Sequence, residues 1–305
     1  MEKNQVSHMA LTAAWIRGYH AAHDSPKIFN DFLAYQLLTE EERATFEQQS
    51  AMALKVINPA RAASCPDPAA ALAGFMQIVA GPPQILSRSR YTEDILEKAV
   101  KQGIKQYVIL GAGFDTFAFR CPDMLKQLQV FEVDHPATQA VKRQRLAESG
   151  PETPAQLHFV PVDFTKESLK EALLRSSFDF TVPTFFSWLG VTYYLPRETV
   201  FTMLRDIADM AAKDSIVIFD YMDTEAFIPE KAAPRVQMLV KMAQHHGEPM
   251  KAGFEPSTLA VDLAPLGLRL HDDLSPSDIQ ERYFQGRTDG YYACEHVHFA
   301  FAVVE

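Results

Sequence analysis

Cysteine is scarce: the 305 residues hold three, Cys65, Cys121 and Cys294, far apart and without a CxxC pair. That spacing excludes a disulfide scaffold or a cysteine zinc site, and it suits reduced intracellular thiols. A membrane-length apolar run is also missing. The segment Met9–Ile16 is too short and too poorly flanked for a leader or a span, so the expected location is cytoplasmic. Positive charge is not in excess, since 29 Lys and Arg against 39 Asp and Glu leave a net −10 with no basic stripe. Nucleic acid and anionic membranes are therefore unexpected partners. Metal is unexpected as well: His296 and His298 share a face of a strand expected over 291–304, but Glu295 points the other way and no third ligand joins them.

What is present is apolar material, 47% of the chain, enough for one large core. The run Tyr107–Leu110 is short and β-branched, as in a strand buried on both faces, and it breaks into Gly111-Ala112-Gly113-Phe114-Asp115-Thr116. A second run, Gln129–Asp134, closes on Glu132 and Asp134, which alternate onto one face. A bare GxG serves equally as an ordinary turn, but a glycine turn followed by an acid-ended strand suits a nucleoside. The glycines admit a ligand against the backbone, and a carboxylate accepts two hydrogen bonds from a ribose diol. A dinucleotide fingerprint needs a third small residue to pack a helix beneath a pyrophosphate. Thr116 stands there instead, which disfavours a dehydrogenase and fits S-adenosylmethionine, a nucleoside without phosphate.

Five blocks, VILGAGFDTFAFR (108–120), VFEVDHPATQAVKRQRL (130–146), FVPVDF (159–164), FSWLGVTYYL (186–195) and RYFQGRTDG (282–290), together resemble the leucine carboxyl methyltransferase-like family of class I S-adenosylmethionine-dependent O-methyltransferases. The blocks keep the family's order from about Ser87 onward, while the first eighty residues match loosely. The resemblance implies an α/β, Rossmann-like class I methyltransferase fold with a seven-stranded, mostly parallel sheet and helices on both faces. It implies S-adenosyl-L-methionine held by Gly111, Gly113 and Asp115 of the turn, by Glu132 and Asp134, by Asp163 at the adenine amine and by Phe164 at its ring. An arginine before the first strand would grip the methionine carboxylate as a bidentate pair, and Arg90 of SRSRY is the matching position; otherwise Arg88 and Arg90 are water-facing residues. The family's acid before Gly190 is replaced by Leu189.

Around this core, residues 1–83 read as an amino-terminal helical cap: one helix over Val6–Ala22, a second opened by Ser25-Pro26, and a third after Thr39 with Glu42 at the capping-box position. His20, His23 and Asp24 read as a solvated helix end. Gly81-Pro82-Pro83 reads as a break, and residues 84–305 as the catalytic domain. The basic cluster Lys142, Arg143 and Arg145 reads as a solvated face. The polar stretch 222–254 reads as a lid, within which His246 is a candidate base.

Tyr193 and Tyr194 follow the fourth strand and are candidates for orienting the reacting groups, packing being the alternative. Arg282, Tyr283 and Arg287 are candidates for an acidic acceptor, with a structural ion pair as the other reading. No histidine and carboxylate pair stands out as a general base. A carboxylate acceptor needs none at neutral pH, so a small carboxylic acid is the expected substrate, ahead of a phenol or alcohol and of a binding protein without turnover.

Overall fold

The computed structural model describes residues 6–149, 152–245 and 247–305. Seven strands, β1 (Gln106–Leu110), β2 (Gln129–Asp134), β3 (Leu157–Pro161), β4 (Thr184–Trp188), β5 (Ile216–Met222), β6 (Leu268–Leu274) and β7 (Val297–Val304), form one sheet. Their order is β3-β2-β1-β4-β5-β7-β6, parallel from β3 through β5, with β7 antiparallel to both β5 and β6. Every residue of β1, β4 and β5 is buried. The two-residue period explains why: Tyr107 and Ile109 enter the core on one face, Val108 and Leu110 that on the other, and helices cover both.

Four helices precede the sheet, α1 (His8–His23), α2 (Glu40–Ile57), α3 (Pro59–Ser64) and α4 (Pro68–Ile78), and α5 (Gly81–Lys101) leads into β1. Single turns α6 (Phe117–Arg120) and α7 (Pro122–Leu125) separate β1 from β2. Helices α8 (Pro136–Ser149), α9 (Leu169–Leu174) and α10 (Arg197–Met210) follow β2, β3 and β4. Helices α11 (Pro234–His245) and α12 (Pro256–Leu263) follow β5, and α13 (Pro276–Ile279) follows β6. Thr39 and Glu42 form the expected capping box of α2. Because β1 and β4 are neighbours whose connections leave in opposite directions, a crevice opens beyond their carboxyl ends.

Several expectations change. Gly81-Pro82-Pro83 opens α5 rather than breaking the chain, since prolines lacking an N–H fit a first helical turn. The helix expected after Ser25-Pro26 is only a 3-10 turn over Ala34–Leu37. Asp31 accounts for this: it is buried, and its carboxylate takes Arg17 at 2.8 Å, the Thr116 hydroxyl at 2.6 Å and the Ala34 N–H at 3.1 Å. Thr116 thus serves this junction between cap and core. His20 is fully buried, with Nδ1 2.6 Å from Asp24 and Nε2 accepting from the Ile28 N–H. Of the basic residues of α8 only Arg143 is exposed as expected; Lys142 is 1% exposed and ion-paired with Glu132, and the half-buried Arg145 pairs with Glu42 at 2.7 Å. The last strand begins at Val297, because His296 takes φ 65° and turns to Asp223 at 2.9 Å. His246 lies outside the described residues.

Candidate functional site

The end of β1 shapes the crevice floor. Gly111 and Gly113 sit at φ 69° and 51°, left-handed values that β-branched or bulky residues avoid. A methyl group on Gly111 would lie 2.9 Å from Val191 Cγ2, and one on Gly113 would lie 3.1 Å from Ala10 Cβ. The turn is therefore clamped between the loop after β4 and α1, and Arg17 of α1 donates to the Phe114 carbonyl at 2.8 Å. Asp134 accepts the Gly113 N–H on one carboxylate oxygen and the His135 N–H at 2.6 Å on the other. Burial raises its pKa while those two N–H groups oppose the rise. Each oxygen keeps a further lone pair for a ligand. Asp115 also faces the cavity, but one oxygen is taken by the Phe117 N–H at 2.7 Å.

Glu132 is not part of this surface. Although it shares a strand face with Asp134, it is 1% exposed and committed to Lys142, and it does not line the cavity. Burial pushes its carboxyl up to about 7, against the pull of Lys142.

The arginine at the cavity is Arg88, not Arg90. Two residues apart on a helix of 3.6 residues per turn, they leave α5 on nearly opposite sides. Arg88 is buried, its Nη1 2.9 Å from Asp220 Oδ2 and 2.8 Å from the Tyr193 hydroxyl. Gln84, one turn earlier, donates to the same two groups at 3.3 and 3.2 Å. The other Asp220 oxygen accepts the Gly190 N–H at 2.6 Å. An acid thus does meet Gly190, supplied by β5 in place of the residue at Leu189. A methyl group on Gly190 would lie 2.5 Å from Arg88 Nη2, so Gly190 is needed for the guanidinium to sit there. Burial alone would lower the Arg88 pKa, but Tyr193 and Asp220 outweigh it and hold the guanidinium charged. Arg90 is half exposed and pairs with Asp94.

The other expected cofactor contacts do face the cavity. Asp163 and Phe164 follow β3, with Phe164 47% exposed. Asp163 also takes the Thr165 hydroxyl at 2.6 Å and Lys166 at 2.6 Å, and these hydrogen bonds, Lys166 first, hold its carboxyl well below the usual range. Tyr193 and Tyr194 both line the cavity. The Tyr193 hydroxyl is occupied by Arg88 and Gln84, so that tyrosine positions the guanidinium. Arg282, Tyr283 and Arg287 are absent from the cavity wall and meet Arg90 in a separate hollow, because the carboxyl-terminal segment passes the far side of α5.

The cavity holds about 790 Å³, a volume in the range of small-molecule sites. Beyond the glycine turn its wall is largely apolar, with Ile16, Phe46, Phe75, Met238, Leu239 and Met242 contributed by the amino-terminal helices and α11. The stretch 222–254 is thus partly helical and roofs the cavity. Two residues of this wall carry buried N–H groups without a partner among the described residues, Trp15 at Nε1 and Arg235 at Nη1. Arg235 is otherwise held by Glu295 and stacked 3.5 Å from the Tyr292 ring centre. Sequence reasoning missed Asp220 and Arg235. Asp220 had a signal, a single acid within the apolar strand IVIFDYM. Among the described residues no His, Cys, Asp and Glu cluster is placed to hold a metal ion.

The family model of leucine carboxyl methyltransferases matches residues 10–208. A Bacillus subtilis protein provisionally named an S-adenosyl-L-methionine-dependent methyltransferase is 40% identical over 304 residues, 99% of either chain. A Mycobacteroides abscessus protein with the same provisional name is 32% identical over 170 residues, 55% of this chain and 53% of its own. Two solved structures share the fold: a DUF574 family protein from Streptomyces avermitilis, with TM-score 0.61, 12% identity and 99% of both chains covered, and a provisionally named methyltransferase from Thermobifida fusca, with TM-score 0.61, 13% identity and coverage of 100% of this chain and 97% of its own.

Proposed function

Because this chain belongs to the leucine carboxyl methyltransferase family, and is an S-adenosylmethionine-dependent methyltransferase, we propose that it transfers the methyl group to a carboxylate oxygen of a small, largely apolar acid. The residues present fit that cofactor. The glycine turn lines the cavity with bare backbone, Asp134 keeps two acceptor positions for a ribose diol, and the buried Thr138 hydroxyl at the same wall has no partner among the described residues. Asp163 and Phe164 suit the adenine and Arg88 the methionine carboxylate, which a guanidinium binds as a charge-assisted pair. When bound, the cofactor supplies a sulfonium-activated methyl group.

The protein's own contribution is placement and exclusion of water. Arg88 is fixed by Asp220, Tyr193 and Gln84, and α11 with the amino-terminal helices covers the remaining volume with apolar side chains. Ordering of this kind supplies most of the rate in an in-line displacement. The observation that carries the acidic acceptor is Arg235: a buried guanidinium that keeps an unused N–H beside its Glu295 partner, in a largely apolar wall, suits a carboxylate. A carboxylate nucleophile is already ionised at neutral pH and needs no base.

The test is chemical. The purified protein is incubated with methyl-labelled S-adenosylmethionine and a panel of apolar carboxylic acids and phenols, and the product is treated with alkali. Methyl esters release volatile methanol under alkali, and Arg235→Met raises the acceptor KM; an alkali-stable methyl ether, or transfer indifferent to Arg235, contradicts the carboxylate reading.

A further inference from the structure

Outside the catalytic cavity, four cations from three chain segments converge on a hollow of about 450 Å³: Lys27 after α1, Arg90 on α5, and Arg282 and Arg287 before β7, with Asp94 and Tyr283 in the same wall. It shares no lining residue with the cavity around Arg88. Its charges do not cancel. Asp94 is occupied by Arg90 and by the Tyr283 hydroxyl at 3.4 Å. Arg287 is tied to Asp289 and to the Pro26 carbonyl at 2.8 Å. Among the described residues neither Lys27 nor Arg282 has a carboxylate at ion-pair distance, and Arg282 rests over the Tyr91 and Tyr283 rings at 5.4 and 5.5 Å. Two uncompensated positive charges in one concavity stand out on a chain of net charge −10.

We propose that this hollow is a second ligand site, for a phosphate-bearing small molecule with at least two negative charges. Guanidinium forks pair with phosphate oxygens, and a tetrahedral group offers oxygens toward several walls at once, whereas a planar carboxylate is filled by one fork. The three segments contributing cations are far apart in sequence. A bound anion would therefore tie the link after α1 and the segment before β7 to α5, the helix whose opposite side carries Arg88.

The test is calorimetric titration of the full chain with inorganic pyrophosphate, ionic strength being matched with sodium chloride so that general screening is constant. Lys27→Ala and Arg282→Ala remove exposed side chains without a carboxylate partner, and their thermal midpoints confirm folding. The expected result is one saturable site, weakened about tenfold or more in either variant, with S-adenosylhomocysteine affinity unchanged and citrate binding much more weakly. The proposal is overturned by absence of saturable binding at millimolar pyrophosphate, by parental affinity retained in both variants, by citrate binding as tightly, or by displacement of pyrophosphate with S-adenosylhomocysteine.

Discussion

Arg88 of α5 and Asp220 of β5 are joined at 2.9 Å, both buried, with Arg88 at the cavity wall and Asp220 behind it accepting the Gly190 N–H. The pair converts a strand-end acid and a helix arginine into a fixed donor. Asp220 neutralises and orients the guanidinium, Tyr193 and Gln84 lock it, and Gly190 leaves room for Nη2.

Asp134 braces the Gly113 N–H, and the proposed ribose contact would give it a second task. Asp134→Ala is expected to weaken S-adenosylhomocysteine binding at least tenfold by calorimetry. Gly113→Ala weakens it too, because its left-handed conformation costs a side chain about 1–2 kcal/mol and Ala10 stands 3.1 Å from the added methyl. Affinity within twofold of the parent for Asp134→Ala refutes the assignment.

Glu132 and Lys142 form a pair in which each side chain is 1% exposed. Lys142→Met leaves a buried carboxylate unpaired and is expected to cost about 3–5 kcal/mol in urea unfolding. The double change Glu132→Leu with Lys142→Met recovers most of that loss. If the single and double variants are equally unstable, the pair is not what stabilises this face of α8.

Asp273 receives the Tyr221 hydroxyl at 2.7 Å, and burial pushes its carboxyl up to about 6 from 3.8. A raised folded-state value means that its contribution is complete below about pH 3.8 and is lost as pH rises through about 6. Asp273→Asn is therefore expected to gain thermal stability relative to the parent as pH goes from 4 to 7, read by scanning calorimetry. Parallel curves for the two proteins contradict this.

Much of the scaffold was legible because its signals are local. The apolar runs gave the strands, the Thr39 and Glu42 spacing gave a helix start, and the glycine turn with Asp134 located the crevice. The choice between Arg88 and Arg90 depended on helix phase. Arg88 stands three residues after Ile85 and three before Tyr91, both buried, so the phase was readable once the helix was known to begin at Gly81. Lys142 was missed for the opposite reason: the buried stripe of α8 runs through Gln139 and Lys142 as well as Leu146, and the two polar residues are buried because both meet Glu132 of β2. The position of Arg282 and Arg287 was set by long-range packing of the segment before β7 against α5, which no local pattern encodes.

The most direct test of the account titrates S-adenosylhomocysteine into the parent protein, Arg88→Ala and Arg90→Ala, with thermal midpoints recorded to confirm folding. Loss of one charge-assisted contact is worth about 1.5–3 kcal/mol, so Arg88→Ala should bind roughly ten- to hundredfold more weakly while Arg90→Ala stays within twofold. Unchanged affinity in folded Arg88→Ala, or a comparable loss in Arg90→Ala, would contradict the placement of the cofactor against α5 and β5.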